Sequence, residues 1–358
     1  MKKGFLLLLA VFAMQTTFAQ DSIKTESKFN AGEMIMHHIA DAHEIHFIGE
    51  YSLYLPVILK TNNGWDCFSS SNFYHNPKTT TNAAGKEVEF FQYKDYVMYH
   101  EHIYMVKDGG LVLGEDEEVL NESVSIDFSI TKTVAGMFLT ILLMILIFGS
   151  VAKGYKKRGI GAPKGLQSFM EPLILFIRDE VARPSIGKHA DRFTPFLLSI
   201  FFFIWISNLL GLIPFLGGFN ITGTLSVTLV LATVVLIVTS FNGNKNYWRH
   251  ILWPDGVPFL VKVILVPIEI VGVFIKPLVL MIRLTANITA GHILILSFVT
   301  LIFIFGQDSA AAGYGIGVGA TLFMVMMNFL ELLVAFLQAY VFTLLAALYF
   351  GAAVEEAH

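Results

Sequence analysis

"VPFLVKVILVPIEIVGVFIKPLVLMIRLTANITAGHILILSFVTLIFIF", residues 257–305, decides how this chain folds. Its 49 residues hold four charged side chains, Lys262, Glu269, Lys276 and Arg283. A run this apolar belongs in a bilayer, yet as one helix it would reach roughly 73 Å, against a hydrocarbon core of about 30 Å. It either turns back near Lys276 and Pro277 or crosses strongly inclined. The whole chain has the same character. With 55% hydrophobic and 15% charged residues and a mean hydropathy of +0.64 over 358 residues, it is too apolar for a soluble protein of its size. A net charge of −4 and a pI near 6.3 exclude nucleic acid as a partner, because a phosphate footprint needs surplus Lys and Arg. The single cysteine, Cys67, allows no internal disulfide.

Residues 1–19 read as a secretory signal peptide, with Lys2 and Lys3 before a short apolar run and a small-residue ending. Residues 20–127 are polar by comparison and read as a small β-rich extracytoplasmic domain. Within it "YSLYLPVIL" (51–59) is strand-like, and "YVMYHEHIYMV" (96–106) runs to a turn at Asp108, Gly109 and Gly110. Residues 128–358 form the membrane domain. Runs at 131–152, 193–216 and 222–241 are ordinary transmembrane helices, and 257–305 with 315–350 are two overlong arms.

Between the first two spans, residues 153–192 hold nine Lys and Arg, while the links 217–221 and 306–314 hold none. The positive-inside rule therefore puts 153–192 in the cytoplasm and both links outside. In that cytoplasmic stretch, "LQSFMEPLILFIRDEVA" (166–182) mixes apolar and charged residues at helical spacing and predicts a helix on the membrane surface. Lys245 and Arg249 mark a cytoplasmic start for the first long arm, so one inclined crossing agrees with every link. The fold class is thus an all-α polytopic membrane protein with a small β-rich domain ahead of it. Its parts are three ordinary spans, a surface helix and a long inclined helical hairpin whose second arm returns the C-terminus to the cytoplasm.

An arginine at mid-bilayer costs about 3 kcal/mol or more, so Arg283 must face protein or water. On a helix, Arg283, Ala286, Asn287 and Ala290 share one stripe with Lys276, while His292, nine residues beyond Arg283, points about 180° away. The second arm supplies partners. If Gln338 lies level with Arg283 in an antiparallel pair, Glu331 falls within two residues of His292, so one register brings both polar pairs together. Lys262, Glu269, Lys276 and Arg283 recur every seven residues, a slowly drifting polar line along the arm.

These residues carry a family resemblance. "KPLVLMIRLTANITAGHILI" with "LELLVAFLQAYVFTLLAALY", and earlier "FFFIWISNLLGLIP" (201–214), resemble subunit a of the F-type ATP synthase over roughly 193–350. The resemblance implies a stator that hands protons to a rotating c-ring through two half-channels and makes or breaks no covalent bond. It implies Arg283 as the essential arginine, Asn287 one turn on, and Gln338 as the glutamine beside the arginine. His292 and Glu331 match the paired acid and base positions, with imidazole and carboxylate exchanged relative to many bacterial members. Glu269 and Lys276 match charged positions of the long helix. The implied partners are c-ring subunits, the peripheral stalk subunits b, the other synthase subunits and the lipid bilayer of the bacterial inner membrane, with no cofactor or metal. The domain of about one hundred residues before the spans has no counterpart in shorter members.

Other readings are weaker. Asn208 is expected to bridge helices. His37, His38, His43 and His46 lie close together but lack zinc-site spacing, and the acidic run 115–118 reads as a solvated turn. Asp255 suggests an intramembrane protease only superficially, since no H-E-x-x-H exists. A secondary cation or proton transporter is the better rival, although no internal repeat supports it.

Overall fold

The computed structural model describes residues 39–46, 52–62, 64–81, 87–107, 109–114, 118–159, 161–213, 218–254, 256, 258–308 and 310–355, with Gly32 and Ile35. The expected signal peptide, His37, His38, Asp108, Asp255 and most of the acidic run lie outside the described residues.

The N-terminal region is β-rich. β1 (Glu44–His46) pairs with β2 (Ser52–Tyr54), and β3 (Pro56–Thr61) lies between β4 (Gly64–Ser69) and the later β9 (Ile126–Asp127). β5 (Pro77–Thr81), β6 (Glu87–Tyr93), β7 (Tyr96–Tyr99) and β8 (His102–Met105) form an antiparallel meander. The run 96–106, read from sequence as one strand, is folded back on itself. His100 and Glu101 adopt φ of 47° and 64° and make a two-residue hairpin turn without glycine. The isolated bridge between Lys107 and Gly110 places a further reversal where the sequence put one. β7 is buried on both faces, which explains an unbroken apolar strand. Tyr96 and Met98 pack with Val57, Leu59, Phe73 and Ile103, while Val97 and Tyr99 pack with Phe90 and Leu111.

This region is joined to the helices by more than its chain connection. Ile45 and Leu55 belong to the same apolar core as the helical bundle. Lys132 N donates to Ala42 O at 2.8 Å, and Thr133 N donates to Asp41 Oδ1 at 2.8 Å.

α1 (Lys132–Arg158) starts at Thr131, whose hydroxyl accepts from Val134 N, and stops at Gly159 with φ 56°. α2 (Leu166–Phe176) passes through a π-helical turn, Ile177–Ala182, into Arg183–Ile186, and Gly187 at φ 69° ends the run. The expected surface helix therefore extends to 186. Its apolar side, with Met170, Ile177, Val181, Ala182 and Ile186, is covered by protein, against core residues such as Leu197 and Phe350. α3 (Ala190–Gly211) is the most enclosed helix, with Leu197, Phe201, Phe202 and Ile204 fully buried. α4 (Leu225–Asn242) follows, then the short α5 (Lys245–Leu252), capped by the Asn244 side chain accepting from Tyr247 N at 2.8 Å.

The long arms are unbroken. α6 (Phe259–Asp308) continues through Pro267 and Pro277 without turning back, and α7 (Ala310–Val354) returns antiparallel along it. The turn-back at Lys276 and Pro277, one of two options open from sequence, is not taken. Five described segments are long and apolar enough to cross a membrane. The chain is therefore mostly helical, with five candidate spans and a β-rich N-terminal region.

Candidate functional site

The site is set by the register of α6 against α7. Side chains or backbones meet at Gly306 with Gly313, Ile302 with Gly317, Phe298 with Phe323 (ring centroids 4.3 Å apart) and Gly291 with Glu331. This register agrees within one or two residues with the one expected from Arg283 and Gln338. Glycine lets the arms close. A Cβ on Gly313 would sit 2.8 Å from Gly306 Cα, and a Cβ on Gly291 would sit 2.7 Å from Glu331 Oε1.

Glu331 is 7% exposed, and its Oε2 has no hydrogen-bond partner among the described residues. His292 is half-buried and turned toward α3, with Nε2 3.6 Å from where a Cβ on Gly211 would lie. The two groups share a level of the hairpin, but no ion pair or hydrogen bond joins them, contrary to the contact expected from register alone. The physical reason is local. Gly291, not His292, presents its surface to the carboxylate, and one residue further the helix has rotated by about 100° toward α3.

Gln338 is 7% exposed and packs inside, at the level of residues 283–284 by the hairpin register. Arg283 is half-buried, and among the described residues no acid or hydrogen-bond acceptor engages its guanidinium. Beside it Lys276, Ala286, Asn287 and Ala290 are exposed, so the stripe foreseen from helical spacing is an uncovered face of α6. Lys276 Nζ lies 6.0 Å from the Tyr349 ring. A cavity of about 30 Å³, large enough for a water molecule, is lined by Lys276, Tyr247, Tyr349 and Thr239. Glu269 is half-buried and close to Tyr247, whose phenol is pushed above its usual range by burial and by the Glu269 charge. Glu269 and Lys276 form no ion pair with each other among the described residues.

Of the polar lattice between α3, α4, α6 and α7, sequence reasoning named Asn208 alone. Asn208 Nδ2 donates to Ala335 O at 3.2 Å and its Oδ1 accepts from Thr222 Oγ1, so Asn208 does bridge helices. Thr228 and Thr285 hydroxyls lie 2.6 Å apart, and Thr289 Oγ1 donates to Gly223 O at 3.3 Å. The available signal was Thr and Asn recurring in otherwise apolar spans. Of the histidine cluster, His43 is buried 3.6 Å from Glu101, and His46 pairs with Glu44 at 2.5 Å. No three potential metal ligands converge among the described residues.

Fold and site together define a polytopic membrane protein with ionisable groups held inside a helical hairpin. A family model described as ATP synthase A chain matches residues 134–351, more than half of the chain, and the chain belongs to that family. The match begins well before the 193–350 span of the resemblance and takes in α1 and α2. Residues 34–128 match a separate model described as a domain of unknown function. Among curated relatives, ATP synthase subunit a 2 of Chlorobaculum tepidum is 42% identical over 65% of this chain and 65% of its own length. ATP synthase subunit a of Chloroherpeton thalassium is 42% identical over 65% of this chain and 70% of its own. ATP synthase subunit a of Chlorobium phaeobacteroides is 37% identical over 74% of this chain and 76% of its own. The chain thus spans about two thirds of the length of the first of these relatives.

Proposed function

We propose that this chain is the stator subunit of an F-type ATP synthase membrane motor, coupling proton flow to rotation of a ring of c subunits. One observation carries the reading: a half-buried guanidinium without an anionic partner, on an uncovered stripe with Ala286, Asn287 and Ala290. An arginine stays charged under all working conditions. Next to a passing ring carboxylate it stabilises the ionised form and expels the proton, and its fixed charge blocks direct leakage between the two sides. The small side chains beside it let a ring slide past.

Protons reach the ring past His292 and Glu331, which offer an imidazole and a carboxylate inside the bundle. They leave on the opposite side near Glu269, Lys276 and the cavity beside Tyr247. Each charge moved across 100 mV supplies about 2.3 kcal/mol. Gln338 and Asn287 supply neutral polar surface at the arginine's level. The nine Lys and Arg of 153–192 support an orientation in a bacterial inner membrane with that end of the bundle and the C-terminus on the cytoplasmic side and the β-rich domain outside. Peripheral stalk b subunits hold the stator against rotation. The chain does no covalent chemistry in this scheme.

The test is Arg283→Ala in the assembled synthase. Proton-driven ATP synthesis in vesicles is expected to vanish while the variant still copurifies with the ring; retained synthesis overturns the assignment. Loss of His292 or Glu331, by His292→Ala or Glu331→Gln, is expected to slow proton uptake by at least about tenfold. Full activity in both removes the pair from the path.

A further inference from the structure

The membrane mechanism uses nothing ahead of residue 132, yet the junction of the β-rich domain with α1 contains a buried cluster of ionisable groups. His43 is 2% exposed. Its Nδ1 lies 3.6 Å from Glu101 Oε2, and its Nε2 has no hydrogen-bond partner among the described residues. Glu101 Oε2 also accepts from Tyr74 Oη at 2.9 Å and from His43 N at 3.3 Å. Glu101 is held in a left-handed conformation at the β7–β8 turn, next to an exposed His100, and its side chain is 10% exposed, more than the 3% of His43. Among the described residues, Asp41, Glu44 and Lys132 are the other charges near the cluster. Lys132, itself 7% exposed, is an electrostatic neighbour of Asp41 and Glu101 on one side and of His292 on the other.

Separate polar contacts lie between this cluster and the hairpin. Asp41 Oδ1 accepts from Thr133 N, the Thr133 and Thr224 hydroxyls lie 3.2 Å apart, and Thr224 Oγ1 donates to Asn220 O at 2.9 Å. Gly223, beside Asn220, accepts from Thr289 of α6, one turn before His292. Five buried side-chain polar atoms lack partners among the described residues. Four of them are the two His43 ring nitrogens in the cluster, Asn220 Oδ1 beside Gly223, and Glu331 Oε2 in the hairpin; the fifth belongs to Glu171 on α2. Buried polar atoms without protein partners take water, so these four are places for a hydrated path.

We propose that the β-rich domain is the outer vestibule of the proton-uptake path, with Glu101 and His43 as a relay that feeds His292 and Glu331. The inference rests on the stator reading above. A proton from outside water binds Glu101, passes to His43 Nδ1, and an equivalent proton leaves from Nε2 toward the water and hydroxyl groups near Thr133. Each transfer leaves the pair in its starting protonation state after one rotation or exchange of the imidazole. Lys132 balances the acids and keeps other cations out of the passage. The chemistry of the pair suits this role. Burial alone would raise the Glu101 carboxyl, but the nearby His43 imidazole and the hydrogen bonds from Tyr74 Oη and the His43 backbone N–H outweigh it and hold the carboxyl below its usual range. Burial and the adjacent carboxylate push the Tyr74 phenol upward, so Tyr74 stays a donor.

The test compares Glu101→Gln, His43→Gln, Tyr74→Phe and Arg283→Ala in the whole synthase reconstituted in liposomes. ATP synthesis is followed as the pH of the proton-supplying side is varied, with copurification of the ring as the assembly control. Glu101→Gln and His43→Gln are expected to cut synthesis about tenfold near neutral pH, with partial recovery when the supplying side is acidified. Tyr74→Phe, which keeps the ring and removes only the donor, is expected to move the pH profile up by about one unit. Where a Gln variant fails to copurify, the Tyr74→Phe profile decides. Assembled variants with wild-type rate and profile overturn the relay, even if Arg283→Ala abolishes synthesis. Synthesis retained in Arg283→Ala overturns the stator reading instead.

Discussion

Gly291 decides where the carboxylate of Glu331 can sit. Because any Cβ at 291 would fall 2.7 Å from Oε1, Gly291→Ala forces either the carboxylate or the whole of α7 to shift. Overpacking of this kind costs about 1–3 kcal/mol, too little to unfold a bundle this size but enough to displace one side chain. The expected outcome is an assembled complex with reduced proton-driven synthesis, checked by copurification and vesicle assays; unchanged synthesis means that the carboxylate's position is not critical. Glu101 allows a second argument from a single group. Its folded-state carboxyl lies below its ordinary value, so it stabilises the fold fully above the ordinary glutamate range. That stabilisation is lost as pH falls through the lowered value, when the proton displaces the donors. The protection factor for hydrogen exchange at the β7–β8 turn, relative to intrinsic exchange at each pH, is therefore expected to fall on acidification in the wild type, and Glu101→Gln should remove that dependence. Acid-insensitive protection in the wild type contradicts the lowered carboxyl.

The hairpin's register was legible in the sequence because it follows from helical geometry and four polar residues. Arg283, His292, Glu331 and Gln338 each carry a burial cost that only one alignment meets. What the register did not reveal is the direction of each side chain about its helix. His292 turns to Gly211 of α3, and nothing along α6 or α7 announces that neighbour. β7 was misread for a related reason. With both faces buried, Tyr96 to Tyr99 lacks the alternation that locates a strand's end, and the turn uses His100 and Glu101 in place of Asn-Gly. α5 went unseen as a helix because its Lys245 and Arg249 were read for charge alone, although Asn244 is a good N-cap. The register itself can be tested directly. With Cys67 replaced, Ile302→Cys combined with Gly317→Cys is expected to form a disulfide, since a Cβ at 317 lies 3.8 Å from Ile302 Cγ2. Crosslinking only when one position is moved by a full turn would reject the register. Asn208→Ala, which leaves Thr222 and Ala335 O unpaired between α3 and α7, should cost about 1–3 kcal/mol, read as a lower melting temperature of the purified complex.

At the scale of the molecule, enclosure is unequal. α3 is largely enclosed, with Asp191, Arg192, Pro195 and Ser199 its exposed residues, whereas α6 and α7 show large apolar side chains outward, with Leu260 81%, Leu322 75% and Phe329 71% exposed. Lipid satisfies leucine and phenylalanine, but it does not satisfy Lys276, Arg283 and Asn287 on the same outer surface. Where these three meet Ala286 and Ala290, the surface is low and polar, and only a moving protein partner or trapped water suits both properties. On the stator reading proposed above, this separates two uses of the exposed face, lipid along the bulky rows and the ring along the small one. Enlarging the small row therefore tests the division. Ala290→Leu adds bulk at an exposed position of α6, so folding and assembly are expected to be unaffected. Sliding of the ring against Arg283 should be obstructed, and proton-driven synthesis is expected to fall at least about tenfold, because misplacement by about 1 Å near a reacting group can cost a hundredfold. A similar enlargement on a bulky row, Val325→Leu, should leave synthesis intact, because lipid accommodates the extra methylene. Equal activity in both variants would mean that the alanine stripe faces lipid, and the ring would have to meet the hairpin elsewhere.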